Sequence, residues 1–372
     1  MRIAEISVEG LFGTFNHTIP LNQEERITII HSPNGFGKTA ILRLIDFTLG
    51  GIRNFENFTQ YTFNKINIKF TDNKTLTVAQ DNNKRLFFCF DFDDSNKKKT
   101  YFSIEELFGD YIGLIAKIDI NTLFISIERV QNQRIYQLRH NIEEKTKEYT
   151  TLTQTLERTY PSRLVERKNG YDLDKLKQKL RGIEDKQKEL VSVGLLDEQN
   201  ITSDSFIEKV DESNNIALSL YVEDMTKKLT IFEDLERKVD ILKEIINSRF
   251  LYKKMLISKA KGIYFVNENG IELSFQSLSS GEQHELVLFF ELLFNVKENT
   301  LILIDEPELS LHVSWQTHFL KDLIRVAKNA KFDVLLATHS PQIINDRWDL
   351  TVELKGKDAT QAVQNGNKAI MA

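Results

Sequence analysis

Ser32-Pro33-Asn34-Gly35-Phe36-Gly37-Lys38-Thr39 and Leu301-Ile302-Leu303-Ile304-Asp305-Glu306-Pro307 are the two stretches whose reading decides the fold. The first follows an apolar run, Ile27-Thr28-Ile29-Ile30, and precedes a helical pattern over 40–45, so it reads as a loop joining a strand to a helix. That is the setting a phosphate-cradling loop requires. Gly35 and Gly37 let backbone N–H groups turn inward, and Asn34 and Phe36 complete the loop. Lys38 can reach the β and γ oxygens of a nucleotide, and the Thr39 hydroxyl can ligate Mg²⁺. Ser32 stands where the motif has its first glycine, and serine forms this turn only where φ is not strongly positive. The second stretch is a short apolar strand delivering two adjacent carboxylates at its carboxyl end, where open α/β sheets bind ligands. Asp305 is placed to hold Mg²⁺ and Glu306 to polarise an attacking water. Successive side chains alternate along a strand, so the two need not compete for one proton.

A third element, Leu278-Ser279-Ser280-Gly281-Glu282-Gln283, precedes an apolar helix over 285–294. Alone it reads as a Ser/Gly loop with a helix N-cap. It also resembles the signature motif of ABC-type ATPases, and that resemblance implies that Ser279 and Gly281 grip the γ-phosphate held by an opposite protomer. One motif of each kind per chain then implies a homodimer, or a higher even-numbered oligomer, with two shared sites for ATP and Mg²⁺. A fourth element, Leu335-Leu336-Ala337-Thr338-His339-Ser340-Pro341, is another apolar strand ending in a polar turn. His339 matches the γ-phosphate-contacting histidine of the same ATPases, and Pro341 suits the first turn of a following helix. Glu308-Leu309-Ser310-Leu311-His312 occupies the place of the loop that crosses the family's dimer interface.

The set is similar to the structural-maintenance-of-chromosomes and overcoming-lysogenization-defect group of ABC-type ATPases, and to stand-alone ATPases of bacterial antiviral systems such as Septu. The likeness covers residues 1–135 and 259–350. It implies an α/β fold, an ABC-type P-loop head with a mixed sheet flanked by helices, split by a helical, coiled-coil-like insertion. The expected division is 1–135, 136–258 and 259–372. At the base of the insertion, strand-like 123–129 runs into Val130-Gln131-Asn132-Gln133-Arg134. Gln131 or Gln133 is placed to supply the family's glutamine loop, and a polar helix start explains the same residues equally well.

Between 136 and 258 apolar residues recur at three-four spacing: Leu173, Leu176, Leu180, Ile183 and Leu190 with Gln187, then Leu218, Tyr221, Met225, Leu229, Phe232, Leu235, Val239, Leu242 and Ile246. Pro161, Gly170 and the polar stretch 197–204 are expected to break the run into a short hairpin or bundle. Its seams exceed what two helices can cover, which marks them as a docking surface for a partner or a further copy. Strand-like segments at 66–70, 76–78 and 86–90 predict an antiparallel patch beside the nucleotide core, and 263–273 predicts a hairpin. Asp91, Asp93 and Asp94 read as a polar loop before Lys97-Lys98-Lys99.

At 372 residues and 41% hydrophobic content the chain can bury one large core plus an appendage. A net charge of −5 argues against a broad nucleic-acid surface and leaves a local basic channel open. A single cysteine, Cys89, excludes a disulfide framework and a thiolate metal site. With no apolar run near 20 residues, a cytoplasmic location and no membrane partner are expected. Only 31 residues follow Pro341, too few for an appended nuclease domain, so the expectation is an ATPase that controls a separate effector, a nuclease. The rival readings are a DNA-repair or chromosome-organising ATPase that acts directly on DNA, and a nucleotide-gated scaffold with little turnover.

Overall fold

The computed structural model describes residues 2–49, 55–91, 102–103, 122–125, 137–197, 210–309 and 311–356. Two compact units emerge, one formed by 1–130 with 295–372 and the other by 131–294. In chain order the first run gives β1 (Ile3–Leu11), β2 (Phe15–Pro20), β3 (Ile27–His31), α1 (Lys38–Leu49), α2 (Phe55–Phe58), β4 (Lys65–Phe70), β5 (Thr75–Gln80), β6 (Leu86–Asp91), β7 (Phe102–Ser103) and β8 (Thr122–Ile125). Helices α3 (Gln137–Glu166), α4 (Leu173–Ser192), α5 (Asn215–Thr230) and α6 (Glu233–Asn247) follow. Then come β9 (Lys253–Ser258), β10 (Gly262–Asn267), β11 (Glu272–Leu273) and α7 (Ser280–Phe290). The chain returns to the first unit with β12 (Leu301–Asp305), α8 (Val313–Ala330), β13 (Asp333–Ala337), α9 (Pro341–Ile344) and β14 (Thr351–Glu353).

Among the described residues the first unit holds two sheets. One is antiparallel, in the order β2-β1-β4-β5-β6-β7, and supplies the patch expected from the alternating segments. In β4, Ile66, Ile68 and Phe70 point inward while Lys69 stays exposed. The other is parallel, in the order β14-β3-β13-β12-β8. A parallel sheet is covered on both faces, so its strands carry near-continuous apolar runs. Residues 27–30, 301–304 and 333–337 are accordingly buried throughout. The one charge in those runs, Asp333, is met by Arg2, whose Nε and Nη2 donate to its carboxylate at 2.9 and 2.6 Å. In register, Ile30 and Asp305 both lie beside Ala337, so β3, β13 and β12 end level with one another.

The second unit packs the four helices, the β9–β10–β11 sheet and α7 together. The insertion expected over 136–258 therefore shares its compact unit with the hairpin and helix of 259–294. Two expectations are corrected here. Pro161 lies inside α3 without ending it. Proline removes only its own N–H, Glu157 is exposed so that its carbonyl can meet water, and the Arg163 guanidinium donates to the Leu156 carbonyl at 2.8 Å. The apolar seams are not left open either: Leu176, Leu180, Leu190, Val239, Leu242 and Ile246 have no exposed surface. They face one another across more helices than a hairpin has, which removes the basis for the docking surface. Arg163 with Asp224 (2.6 and 2.8 Å) and Arg167 with Glu223 (2.8 Å) bind α3 and its C-terminal extension to α5.

Below these helices Arg249, just past α6, forms an ion pair with Glu285 of α7, and its guanidinium lies 5.7 Å from the centre of the Phe289 ring. Glu285 is wholly buried and Arg249 nearly so; burial draws the Arg249 pKa down to about 10. Breaking such a pair leaves one charge buried without compensation. Glu285→Ala should cost about 3–5 kcal/mol in a denaturant titration, whereas the apolar pair Arg249→Met with Glu285→Leu should regain most of that loss. Equal midpoints for wild type and Glu285→Ala would count against the pair as a structural anchor.

Candidate nucleotide site

The loop after β3 leaves the parallel sheet at Ser32, which avoids the positive-φ region, as a serine must here. Gly35 and Gly37 both sit at φ +88°. At Gly37 a Cβ would also stand 2.5 Å from a Leu11 methyl, whereas Gly35 faces open space. Beneath the loop, His17 Nε2 donates to the Phe36 carbonyl at 3.1 Å, and Phe15 stacks on the His17 ring and packs at a tilt against Phe36. Burial lowers the His17 pKa, which keeps the ring neutral in that role.

Lys38 opens α1 and is 5% exposed. Its ammonium donates to the carbonyls of Ser32 (3.0 Å) and Pro33 (3.5 Å) and to His339 Nδ1 (3.3 Å). Burial lowers its pKa, and Glu306, Asp305 and Glu308 act in the opposite direction. An ammonium can only donate, so Nδ1 accepts and the imidazole proton resides on Nε2. That nitrogen lies 3.0 Å from Glu306 Oε1. Lys38, His339 and Glu306 thus form one chain, with the histidine on the turn after β13, the strand between β3 and β12. Glu306 itself adopts φ +44°, and its N–H donates to the Ala337 carbonyl at 2.9 Å. The left-handed turn straight after β12 swings its side chain toward His339.

Asp305 faces α1 and accepts a hydrogen bond from the Thr39 side chain. Burial raises its pKa and Glu306 adds to the rise, while Thr39, Arg43 and Lys38 oppose it. Its Oδ1 has neither solvent nor a hydrogen-bond partner. Among the described residues no three carboxylate, imidazole or thiol groups converge into a cage for a cation. Mg²⁺ does not ask for one, since it binds through one or two protein oxygens, water and substrate phosphates. A buried, unsatisfied carboxylate oxygen beside a threonine hydroxyl at the carboxyl end of a parallel strand fits that demand. Thr39 and Asp305 are the residues that would hold the metal.

Glu308, read in the sequence as the start of the loop that crosses the family's dimer interface, and Gln316, which carries no motif, both touch the His339 turn. Glu308 Oε1 accepts from Thr338 Oγ1 and from the His339 N–H, each at 2.8 Å. Gln316, 7% exposed on α8, donates to the Glu308 carbonyl and accepts from Ser340 Oγ. His17 was equally silent in the sequence; only the carbonyl above it reveals its part.

In the second unit Ser279 is the N-cap of α7 in a full capping box. Its N–H donates to Glu282 Oε2 at 2.6 Å, its Oγ accepts from the Glu282 N–H at 3.3 Å, and Lys253 donates to the same Glu282 oxygen at 2.7 Å. Gly281 lies in the first turn of that helix. Gln131 and Gln133 lie outside the described residues, as do Asp93, Asp94 and Lys97-Lys98-Lys99.

The family described as "AAA domain, putative AbiEii toxin, Type IV TA system" matches residues 33–345, from the phosphate loop to beyond His339. The chain belongs to this family. It is an AAA-family P-loop ATPase with an α/β fold. The retron Ec83 probable ATPase of Escherichia coli is 26% identical over 191 residues, covering 42% of this chain and 35% of that protein. The chain thus spans about a third of the length of that curated relative. Among solved structures, the Smc head domain with an extended coiled coil bound to the C-terminal domain of ScpA, derived from Pyrococcus furiosus, is similar at 12% identity and TM-score 0.41, with 100% of both chains covered. The SmcHead bound to the C-winged helix domain of ScpA is similar at 12% identity and TM-score 0.45, over 96% of this chain and 95% of that one.

For this AAA-family ATPase the raised Asp305 pKa carries a stability cost. A carboxyl whose folded pKa lies above its unfolded value favours folding below the unfolded pKa and loses that benefit as pH rises through the folded one. Asp305→Asn keeps an acceptor for Thr39 and removes the charge. At pH 7 and without metal it should melt about 2 °C above wild type by calorimetry, and should lose Mg²⁺-dependent nucleotide stabilisation. A lower melting temperature would contradict the burial argument.

Proposed function

We propose that the chain hydrolyses ATP with Mg²⁺ as a homodimer, or a higher even-numbered oligomer, and thereby controls a separate effector, a nuclease, in bacterial antiviral defence. The observation that carries the ATPase reading is the Lys38–His339–Glu306 chain at the level ends of β3, β13 and β12. The Ser32 and Pro33 carbonyls now held by Lys38 are the contacts that β- and γ-phosphate oxygens would replace. Asn34, Gly35, Phe36 and Gly37 would present backbone N–H groups to the same phosphates. Mg²⁺, bound by Thr39 and Asp305, would supply charge neutralisation on the transferred phosphoryl group. Glu306 would accept a proton from the attacking water, and His339, donating through Nε2, would hold that carboxylate in place until its N–H turns to the γ-phosphate.

The capping box at Ser279 holds that residue and the first turn of α7 in one conformation, and a hydroxyl at a helix N-terminus would suit an anion. The opposite protomer's nucleotide would dock there, with Gly281 allowing close approach. The halves 1–135 and 259–372 would then be the head, and 136–258 its insertion. Similarity to a retron's probable ATPase and to a family of putative toxins supports a defence role with a separate effector. Among the described residues no helix is long and apolar enough to cross a membrane, and the proposed location is the cytoplasm.

Two experiments test this. Lys38→Ala should weaken ATP binding by about 10²-fold, while Glu306→Gln should bind ATP as wild type does and lower kcat by about 10²–10⁴-fold. Hydrolysis by Glu306→Gln at the wild-type rate would overturn the base assignment. Ser279→Arg should retain ATP binding and lose hydrolysis, because a bulky cation would fill the docking place. Mixed with Lys38→Ala it should recover no more than one intact site per heterodimer, and normal turnover by Ser279→Arg alone would refute shared sites.

A further inference from the structure

The turn that carries His339 is fastened by a closed ring of hydrogen bonds. Glu308 Oε1 accepts from the Thr338 hydroxyl at 2.8 Å, and the Thr338 hydroxyl accepts in turn from the Ser340 N–H at 3.0 Å. The Ser340 hydroxyl donates to Gln316 Oε1 at 3.0 Å, and Gln316 Nε2 donates back to the Glu308 carbonyl at 3.3 Å. A further bond crosses the ring, from the His339 N–H to Glu308 Oε1 at 2.8 Å. Thr338 is thereby held through its hydroxyl and His339 at its backbone N–H, and the imidazole is directed between Lys38 and Glu306. Glu308 Oε2 is buried with no partner, which is a costly way to support a turn that a neutral side chain could brace.

We propose that Glu308 and Gln316 are positioning residues for His339, and that turnover depends on the ring they close. The proposal rests on the ATPase reading for its kinetic consequence, but not for the geometry it claims. A carboxylate accepting two bonds through one oxygen can be replaced by an amide oxygen, so the geometry requires an acceptor at 308 and not a charge. A displaced imidazole would leave Lys38 free to bind phosphate and would loosen Glu306, so the loss should fall on kcat and spare KM.

The full-length protein is compared as wild type, Glu308→Gln, Glu308→Ala, Gln316→Leu, His339→Ala and the double variant Glu308→Ala with His339→Ala. Glu308→Ala should lower kcat by about 10²-fold with KM for ATP within about 3-fold, Gln316→Leu by about 10-fold, and Glu308→Gln should stay within about 3-fold of wild type. In the His339→Ala background Glu308→Ala should cost nothing more, because both changes remove one contact. Selective ¹⁵N-imidazole NMR gives a readout independent of turnover: His339 should show its proton on Nε2 in wild type and Glu308→Gln, and a tautomer mixture in Glu308→Ala. Additive losses in the double variant, or an unchanged His339 signal in Glu308→Ala, would overturn the proposal. Absence of hydrolysis in wild type with the expected NMR change would overturn the ATPase reading alone. Should Glu308→Ala fail to fold, Gln316→Leu and Glu308→Gln decide by the same two measurements.

Discussion

Everything at the candidate site depends on three parallel strands that stop at the same height. Ile30, Ala337 and Asp305 stand side by side in the ladder, so the loops that follow begin from one line. What comes next in sequence is in each case polar and short: the phosphate loop after β3, Thr338-His339 after β13, Glu306 after the Asp305 that ends β12. Because β13 lies between the other two, the turn that carries the histidine starts between the loops that carry lysine and glutamate. A one-residue slip in either pairing would send Asp305 or His339 to the opposite face of the sheet. The continuous apolar burial of 301–304 and 333–337 resists such a slip, since both faces are packed.

Electrostatics then concentrates on Lys38. Three carboxylates, Asp305, Glu306 and Glu308, act on one buried ammonium, and two of them keep an oxygen without a hydrogen-bond partner. Such an arrangement favours a cation and a polyanion entering together, because a bare phosphate would meet the carboxylates and a bare metal would meet the lysine. Burial moves Asp305 up and Lys38 down for one reason, because it disfavours the charged form of each, and the opposite charge of the other acts against the shift.

Local chemistry was legible in the sequence where it depends on a few adjacent residues. The phosphate loop, the paired carboxylates and Thr338-His339 each sit at the end of an apolar strand, and strand, turn and helix follow from composition and period. Ser279 with Glu282 also shows its capping spacing in the chain. Legibility ended where the partner is remote: nothing near Glu308 announces the backbone of His339 thirty-one residues away, and nothing near His17 announces the Phe36 carbonyl. The helical seams showed the right period but not their neighbours, so burial that the bundle achieves internally looked like surface left over. Pro161 misled for a simpler reason, because a helix loses only one N–H there and its exposed side can turn to water.

The same interleaving of strands bears on how the protein is made. Strand β3 emerges early in synthesis, yet both strands that flank it, β13 and β14, come from beyond residue 332. At 5–20 residues per second the ribosome needs roughly 15–60 s to bridge that gap. During that interval the apolar ladder of residues 27–30 has no native neighbour on either edge, and pairings so distant in sequence form slowly. A chain cut short before β13 would carry the phosphate loop without histidine or a sheet to hold it. Competence for nucleotide thus coincides with arrival of the last strands, and the fold itself serves as a check that translation has passed them.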